Sequence, residues 1–212
     1  MADAKICGIN ESAALDAALF HGARFVGLVL FPPSPRHLNL EAATALAARA
    51  RGKADIVAVT VDADDALLSK LRDAVAPDWV QAHGRESPAR IAAMRPFARR
   101  GVIKAIGIAR REDLAEAGRY EGAADMLLFD AKPPPGAALP GGNAAAFDWP
   151  ILAGRRFAKP WLLSGGLTLQ NVAEAIGASG AALVDVSSGV ETAPGLKQPE
   201  KIAQFLAAAR GA

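Results

Sequence analysis

Short β-branched and apolar runs alternate along the whole chain with polar or Gly-containing turns and with alanine-rich stretches of helical spacing. The runs are AKICGI, RFVGLVL, ADIVAVTV, DWVQAHG, GVIKAIGI, ADMLLF, PWLLSG and AALVDVS. A continuous apolar run of this length, bounded by turn residues, suits a strand buried on both faces, as in a parallel sheet. Between the runs lie helical segments such as ESAALDAALFHG and LTLQNVAEAIGASG, where Asn, Ser or Thr precedes the apolar period and Gly follows it.

Eight strands are the number that closes a barrel. The pattern therefore predicts an α/β fold, a single (β/α)8 TIM barrel spanning residues 1–212 as one domain. Eight units in 212 residues leave little room for a second domain, and no linker or low-complexity tract interrupts them. An open doubly wound sheet is the weaker reading, because no run is followed by a G-x-G-x-x-G turn.

A barrel places its chemistry at the C-terminal ends of the strands and in the loops that follow. Read off in order, those ends carry Cys7, Arg36, Gln81 and His83, Asp130, Gly165-Gly166, and Asp185 with Ser187-Ser188-Gly189. Glycines in SGGL and SSGV let backbone N–H groups approach an anion closely, and phosphate after strands seven and eight is a recurrent barrel feature. Gly165, Gly166, Ser187, Ser188 and Gly189 are the candidate phosphate site, although a Gly-Gly pair taken alone is an ordinary turn.

Composition narrows the partners. Hydrophobic residues make up 51% and charged residues 22%, an ordinary globular balance, and the net charge is +2. The pairs Arg99-Arg100, Arg110-Arg111 and Arg155-Arg156 are scattered, which gives a nucleic acid no stripe to follow. One cysteine cannot form an internal disulfide, and MADAKICG lacks the basic and apolar regions of a secretory signal, so a cytoplasmic protein is expected. The longest apolar run, FVGLVLF, falls well short of the about 18 residues that suggest a membrane span. With three histidines, two of them away from strand ends, neither a metal nor another cofactor is expected.

The motifs, taken in order, carry a resemblance. KICG, SPR at Ser34 to Arg36, QAHG at Gln81 to Gly84, LLFD at Leu127 to Asp130, GG followed by FDW at Phe147 to Trp149, LSGGL, and VDVSSGVE followed by PG and Lys run from residue 5 to about residue 206. The chain resembles the phosphoribosylanthranilate isomerases of tryptophan biosynthesis. What the resemblance implies is an Amadori rearrangement of N-(5-phosphoribosyl)anthranilate, a phosphorylated small molecule, by general acid–base catalysis without metal or cofactor.

Carried onto this sequence, the resemblance makes Cys7 the general base and Asp130 the general acid. The residues themselves leave alternatives open: a lone Cys near a strand end is often a buried small hydrophobe, and an Asp before a Pro- and Gly-rich loop is often a cap. Arg36 suits the anthranilate carboxylate, since its guanidinium fork matches a carboxylate with two parallel hydrogen bonds. His83 either orients neighbours or touches substrate, and Asp185 positions the substrate or polarises its neighbours.

Three features depart from the family pattern. Gly141-Gly142-Asn143-Ala144 stands where the family writes GGTG or GGSG, in a long loop from Asp130 to Asp148 that is expected to act as a lid. Phe147 and Trp149 either anchor that loop over the ligand or pack it against the barrel. Thr60 and Ala82 replace bulkier residues and are expected to alter the pocket. Another phosphate-binding barrel enzyme, or a barrel that binds a phosphometabolite without turning it over, remains the alternative. Alanine-rich outer helices suit a monomer or a homodimer equally.

Overall fold

The eight apolar runs become the eight strands of one closed parallel barrel in the computed structural model, which describes residues 1–132, 136, 141 and 146–212. The strands are β1 (Asp3–Cys7), β2 (Phe25–Val29), β3 (Asp55–Thr60), β4 (Trp79–Ala82), β5 (Gly101–Ile108), β6 (Met126–Ala131), β7 (Trp161–Leu163) and β8 (Leu183–Val186). Each pairs in parallel with the next, and β1 closes on β8 with Lys5 opposite Asp185.

Helices cover the outside: α1 (Ser12–Phe20), α2 (Leu40–Ala50), α3 (Asp65–Ala74), α4 (Pro88–Met94), α5 (Ala115–Tyr120), α6 (Val172–Ser179) and α7 (Pro199–Gly211). A short hairpin, β9 (Glu191–Ala193) and β10 (Leu196–Lys197), follows β8. Between β6 and β7 the described residues hold a 3-10 turn at Trp149–Leu152 in place of an α-helix. Pro150 stands in that turn, and the segment before it lacks the apolar period a helix needs to pack.

Successive strand residues point to opposite faces, so each strand serves two cores. Phe25, Val57, Val59, Ile103, Met126, Leu128, Leu162 and Leu183 fill the barrel. Ile6, Val26, Leu28, Ile56, Val80, Leu127 and Val184 face the helices with Leu15, Leu46, Leu68, Ile176 and Phe205. This double burial is why the strands read as unbroken apolar runs.

Helix ends follow the sequence signals in part. Asn39, Asp64 and Ser87 cap α2, α3 and α4 through their side chains, and Gly180 ends α6 at φ 75°. The expected cap of α1 is absent: Glu11 occupies the N-cap without a side-chain bond, and Asn10 donates to the Gly195 carbonyl instead. Asn171 behaves similarly. Its Oδ1 accepts from Thr168 N at 2.7 Å and its Nδ2 donates to Gly166 O at 3.0 Å, which fastens the loop after β7.

Candidate active site

Alternation along the strands sends one polar set into the barrel. Lys5 and Cys7 of β1, Gln81 of β4 with His83 just beyond it, Asp130 of β6, Ser164 just beyond β7, and Asp185 of β8 all share the inward parity. Cys7 is the last residue of its strand and is buried, and Asp130 comes from the opposed wall. Of the candidate site residues predicted from sequence, Cys7, His83 and Asp130 stand at the C-terminal rim, and Asp185, in register with Lys5, lies one layer below it.

Asp130 has both oxygens engaged. Oδ1 accepts from the Ala131 amide at 2.9 Å, and Oδ2 lies 3.2 Å from His83 Nε2. His83 Nδ1 in turn lies 2.9 Å from Gln81 Nε2, while Gln81 Oε1 is buried without a partner among the described residues. An amide that donates to Nδ1 leaves the ring proton on Nε2, facing a carboxylate; an amide turned over accepts from Nδ1 and frees Nε2 to accept a proton from Asp130. The two amide orientations match the two proton states of the pair. Gly141 passes close above: a Cβ there would sit 2.7 Å from both Asp130 Oδ2 and His83 Nε2.

Arg36 sits at this rim, yet its fork is occupied. Nε donates to Glu191 Oε1 at 2.7 Å and Nη2 to Glu191 Oε2 at 2.8 Å. Lys197 adds a third contact to Glu191 at 2.6 Å and donates to the Ser187 carbonyl at 3.2 Å. Burial pushes the Glu191 carboxyl up, but the Arg36 fork and Lys197 outweigh it and hold the group below the usual carboxylate range. Arg36 therefore offers a ligand its Nη1 side only. Gly8 explains the G of KICG: at φ 75° it lets the Arg36 chain cross where a Cβ would meet Cδ at 2.6 Å.

Asp185 is likewise satisfied internally, by Lys5 Nζ at 2.9 Å on one oxygen and Ser164 Oγ at 3.0 Å on the other. It lies one layer below the rim, with both oxygens occupied by side chains of the barrel. Gly165 and Gly166 adopt φ 90° and 64°, and the half-buried Ser187, Ser188 and Gly189 follow β8, with Ser187 leading into a 3-10 turn at Ser188–Val190. Gly189 packs so tightly on that first loop that a Cβ would lie 2.0 Å from the Leu167 carbonyl oxygen.

Several participants escaped the sequence reading. Glu191 and Lys197 belong to the quoted motif but received no role, and Lys104 with Glu86 was missed altogether. Lys104 Nζ donates to Glu86 Oε2 at 2.8 Å and to the Gly84 carbonyl at 2.7 Å, while Glu86 accepts from the amides of Asp62 and Gly84. This buried cluster fixes the turn that presents His83. Lys104→Met should destabilise the fold by about 3–5 kcal/mol, read from urea unfolding, because it strands a buried carboxylate; a loss under about 1 kcal/mol would contradict the assignment.

The departures sort themselves by parity. Ala82 and Thr60 both point out of the barrel, Ala82 into the helix layer and Thr60 Oγ1 onto the Gln81 carbonyl at 3.3 Å, so neither shapes the pocket as expected. Phe147 and Trp149 pack against the outer core. Gly142, Asn143 and Ala144, with most of the expected lid, lie outside the described residues.

Comparison with known proteins gives concordant matches. Residues 4–208 match the model of the family described as N-(5'phosphoribosyl)anthranilate (PRA) isomerase. The N-(5'-phosphoribosyl)anthranilate isomerases of Rhodopseudomonas palustris (strain BisA53) and Paramagnetospirillum magneticum are 52% and 51% identical; these matches cover 98% and 99% of this chain and 95% and 97% of theirs. The crystal structure of phosphoribosyl anthranilate isomerase from Thermotoga maritima superposes with a TM-score of 0.89 at 31% identity, with full coverage of both chains. A further isomerase structure, solved in complex with reduced 1-(o-carboxyphenylamino)-1-deoxyribulose 5-phosphate, gives 0.86 at 30%, again with full coverage of both chains.

Proposed function

Since the chain belongs to the N-(5'-phosphoribosyl)anthranilate isomerase family, we propose that its rearrangement runs by general acid–base catalysis with Cys7 as the base and Asp130 as the acid. The protein is a phosphoribosylanthranilate isomerase of tryptophan biosynthesis: it converts N-(5-phosphoribosyl)anthranilate, an aminoaldose, to 1-(2-carboxyphenylamino)-1-deoxyribulose 5-phosphate, an aminoketose. What carries the mechanism is the placement of Cys7 and Asp130 on opposed walls of one barrel mouth.

Asp130 gives a proton to the furanose ring oxygen, and the ring opens to an imine on the substrate's own nitrogen. The imine acidifies the neighbouring C2–H, Cys7 removes that proton, and the resulting enolamine takes a proton at C1 as the C2 hydroxyl becomes the ketone. The substrate supplies its own electron sink, so proton transfers at two side chains suffice. His83, braced by Gln81, holds the Asp130 carboxyl in place, and Asp185 acts from below.

The phosphate rests on the backbone of Gly165 and Gly166, both at positive φ, and on Ser187, Ser188 and Gly189. Arg36 turns its remaining N–H groups to the anthranilate carboxylate, with Glu191 setting the plane of the fork. Residues 1–212 act as one barrel domain in the cytoplasm, as a monomer or homodimer, and need no cofactor.

The test is fluorescence-monitored consumption of freshly generated phosphoribosylanthranilate by the purified protein. Arg36→Lys should raise KM about tenfold while kcat changes less, because a lysine cannot fork to Glu191 and also meet a carboxylate. An unchanged KM would remove Arg36 from the substrate contacts.

A further inference from the structure

The acid–base reading gives no task to Lys5, a lysine with no exposed surface inside the barrel. Lys5 and Cys7 stand two residues apart on β1, so both side chains enter the interior from one strand. Across the β1–β8 seam Lys5 is in register with Asp185, and its Nζ meets Oδ1 at 2.9 Å. Ser164 Oγ holds the second oxygen at 3.0 Å. A carboxylate pinned on both oxygens fixes the ammonium that it binds.

Gly27 shows where that ammonium's chain lies. It is the register partner of Cys7 on β2, and a Cβ built on it would sit 3.0 Å from Cys7 Sγ and 3.2 Å from Lys5 Cε. The sulfur and the end of the lysine chain therefore flank one spot, kept open by the missing side chain. Filling a barrel layer needs no charge, and a buried ion pair is often no more stabilising than apolar residues of the same volume. A charge kept here has something else to act on.

We propose that Lys5 is a positioning residue for the isomerisation, its anchored ammonium stabilising the thiolate form of Cys7 at the barrel mouth. This rests on the reading of Cys7 as the base. The charged groups facing Cys7 are Lys5 on its own strand, Asp185 on β8, Lys197 on β10 and Arg36 from the loop after β2. Burial dominates and leaves the thiol above its ordinary range; Lys5 and Lys197 pull against that rise, and Asp185 adds to it. Burial also works against the Lys5 ammonium, yet Asp185 and Cys7 outweigh it and raise the group above an ordinary lysine.

Cys7 is the single cysteine, so alkylation of the whole protein by iodoacetamide, followed by mass spectrometry, reads one group. The rate against pH, without substrate, gives the midpoint at which the thiolate forms. Lys5→Met should raise that midpoint by about one pH unit or more, and Lys5→Arg, which keeps the charge, should leave it near wild type. A Lys5→Met midpoint within about 0.3 units of wild type would overturn the proposal. Should Lys5→Met fail to fold by circular dichroism, Lys5→Gln decides: a midpoint raised by about one pH unit supports the proposal, and one within about 0.3 units of wild type overturns it. Alkylation reports the ionisation of Cys7 whether or not it is the base, so an unimpaired Cys7→Ala enzyme would remove the base role and leave the Lys5 result standing.

Discussion

Asp130→Asn should lower kcat by about 10²- to 10⁴-fold while the barrel remains folded and KM stays within about threefold. Asparagine keeps the shape and both hydrogen-bonding positions of the side chain, so Ala131 and His83 retain partners. It cannot deliver an acid proton to a ring oxygen. The loss therefore falls on ring opening, a step after binding, which is why kcat rather than KM carries it. A variant with more than about a tenth of wild-type turnover would move the acid to another group.

Cys7→Ala should show a loss of the same size, about 10²- to 10⁴-fold in kcat, because its β1 neighbour Lys5 is held as an ammonium by Asp185 and cannot take the proton instead. Cys7 belongs to the apolar cluster inside the barrel, so its truncation also costs some packing, but the other members of that cluster stay in place and the barrel remains folded. Cys7→Ser tests chemistry against size. The hydroxyl fills the space, but it is a far weaker acid than a thiol and is ionised too rarely to act as the base. Serine should therefore fall close to alanine; a serine variant near wild type would mean that the thiol only fills space.

The strands were legible because each lies between two apolar layers, and a run such as FVGLV announces burial on both sides. Position at the C-terminal strand ends then predicted the rim residues, and the order of the motifs carried the family. What eluded the sequence was whatever depends on strand register. Lys5 meets Asp185 only because β1 closes on β8 at that offset, and 180 residues separate the two in the chain. Arg36 illustrates the same limit: as a free fork it suited a carboxylate, but Glu191, 155 residues further on, fills two of its positions. Position at a strand end makes Ala82 and Thr60 look like pocket residues, but strand parity turns both outward.

The most direct measurement gives each variant substrate deuterated at C2 and compares kcat with the protonated form. If Cys7 takes the C2 proton and Asp130 opens the ring, Cys7→Ser makes C–H cleavage limiting and shows a clear primary isotope effect, while Asp130→Asn, limited by ring opening, shows almost none. The reverse pattern, or no isotope effect in Cys7→Ser, would contradict the assignment of base and acid.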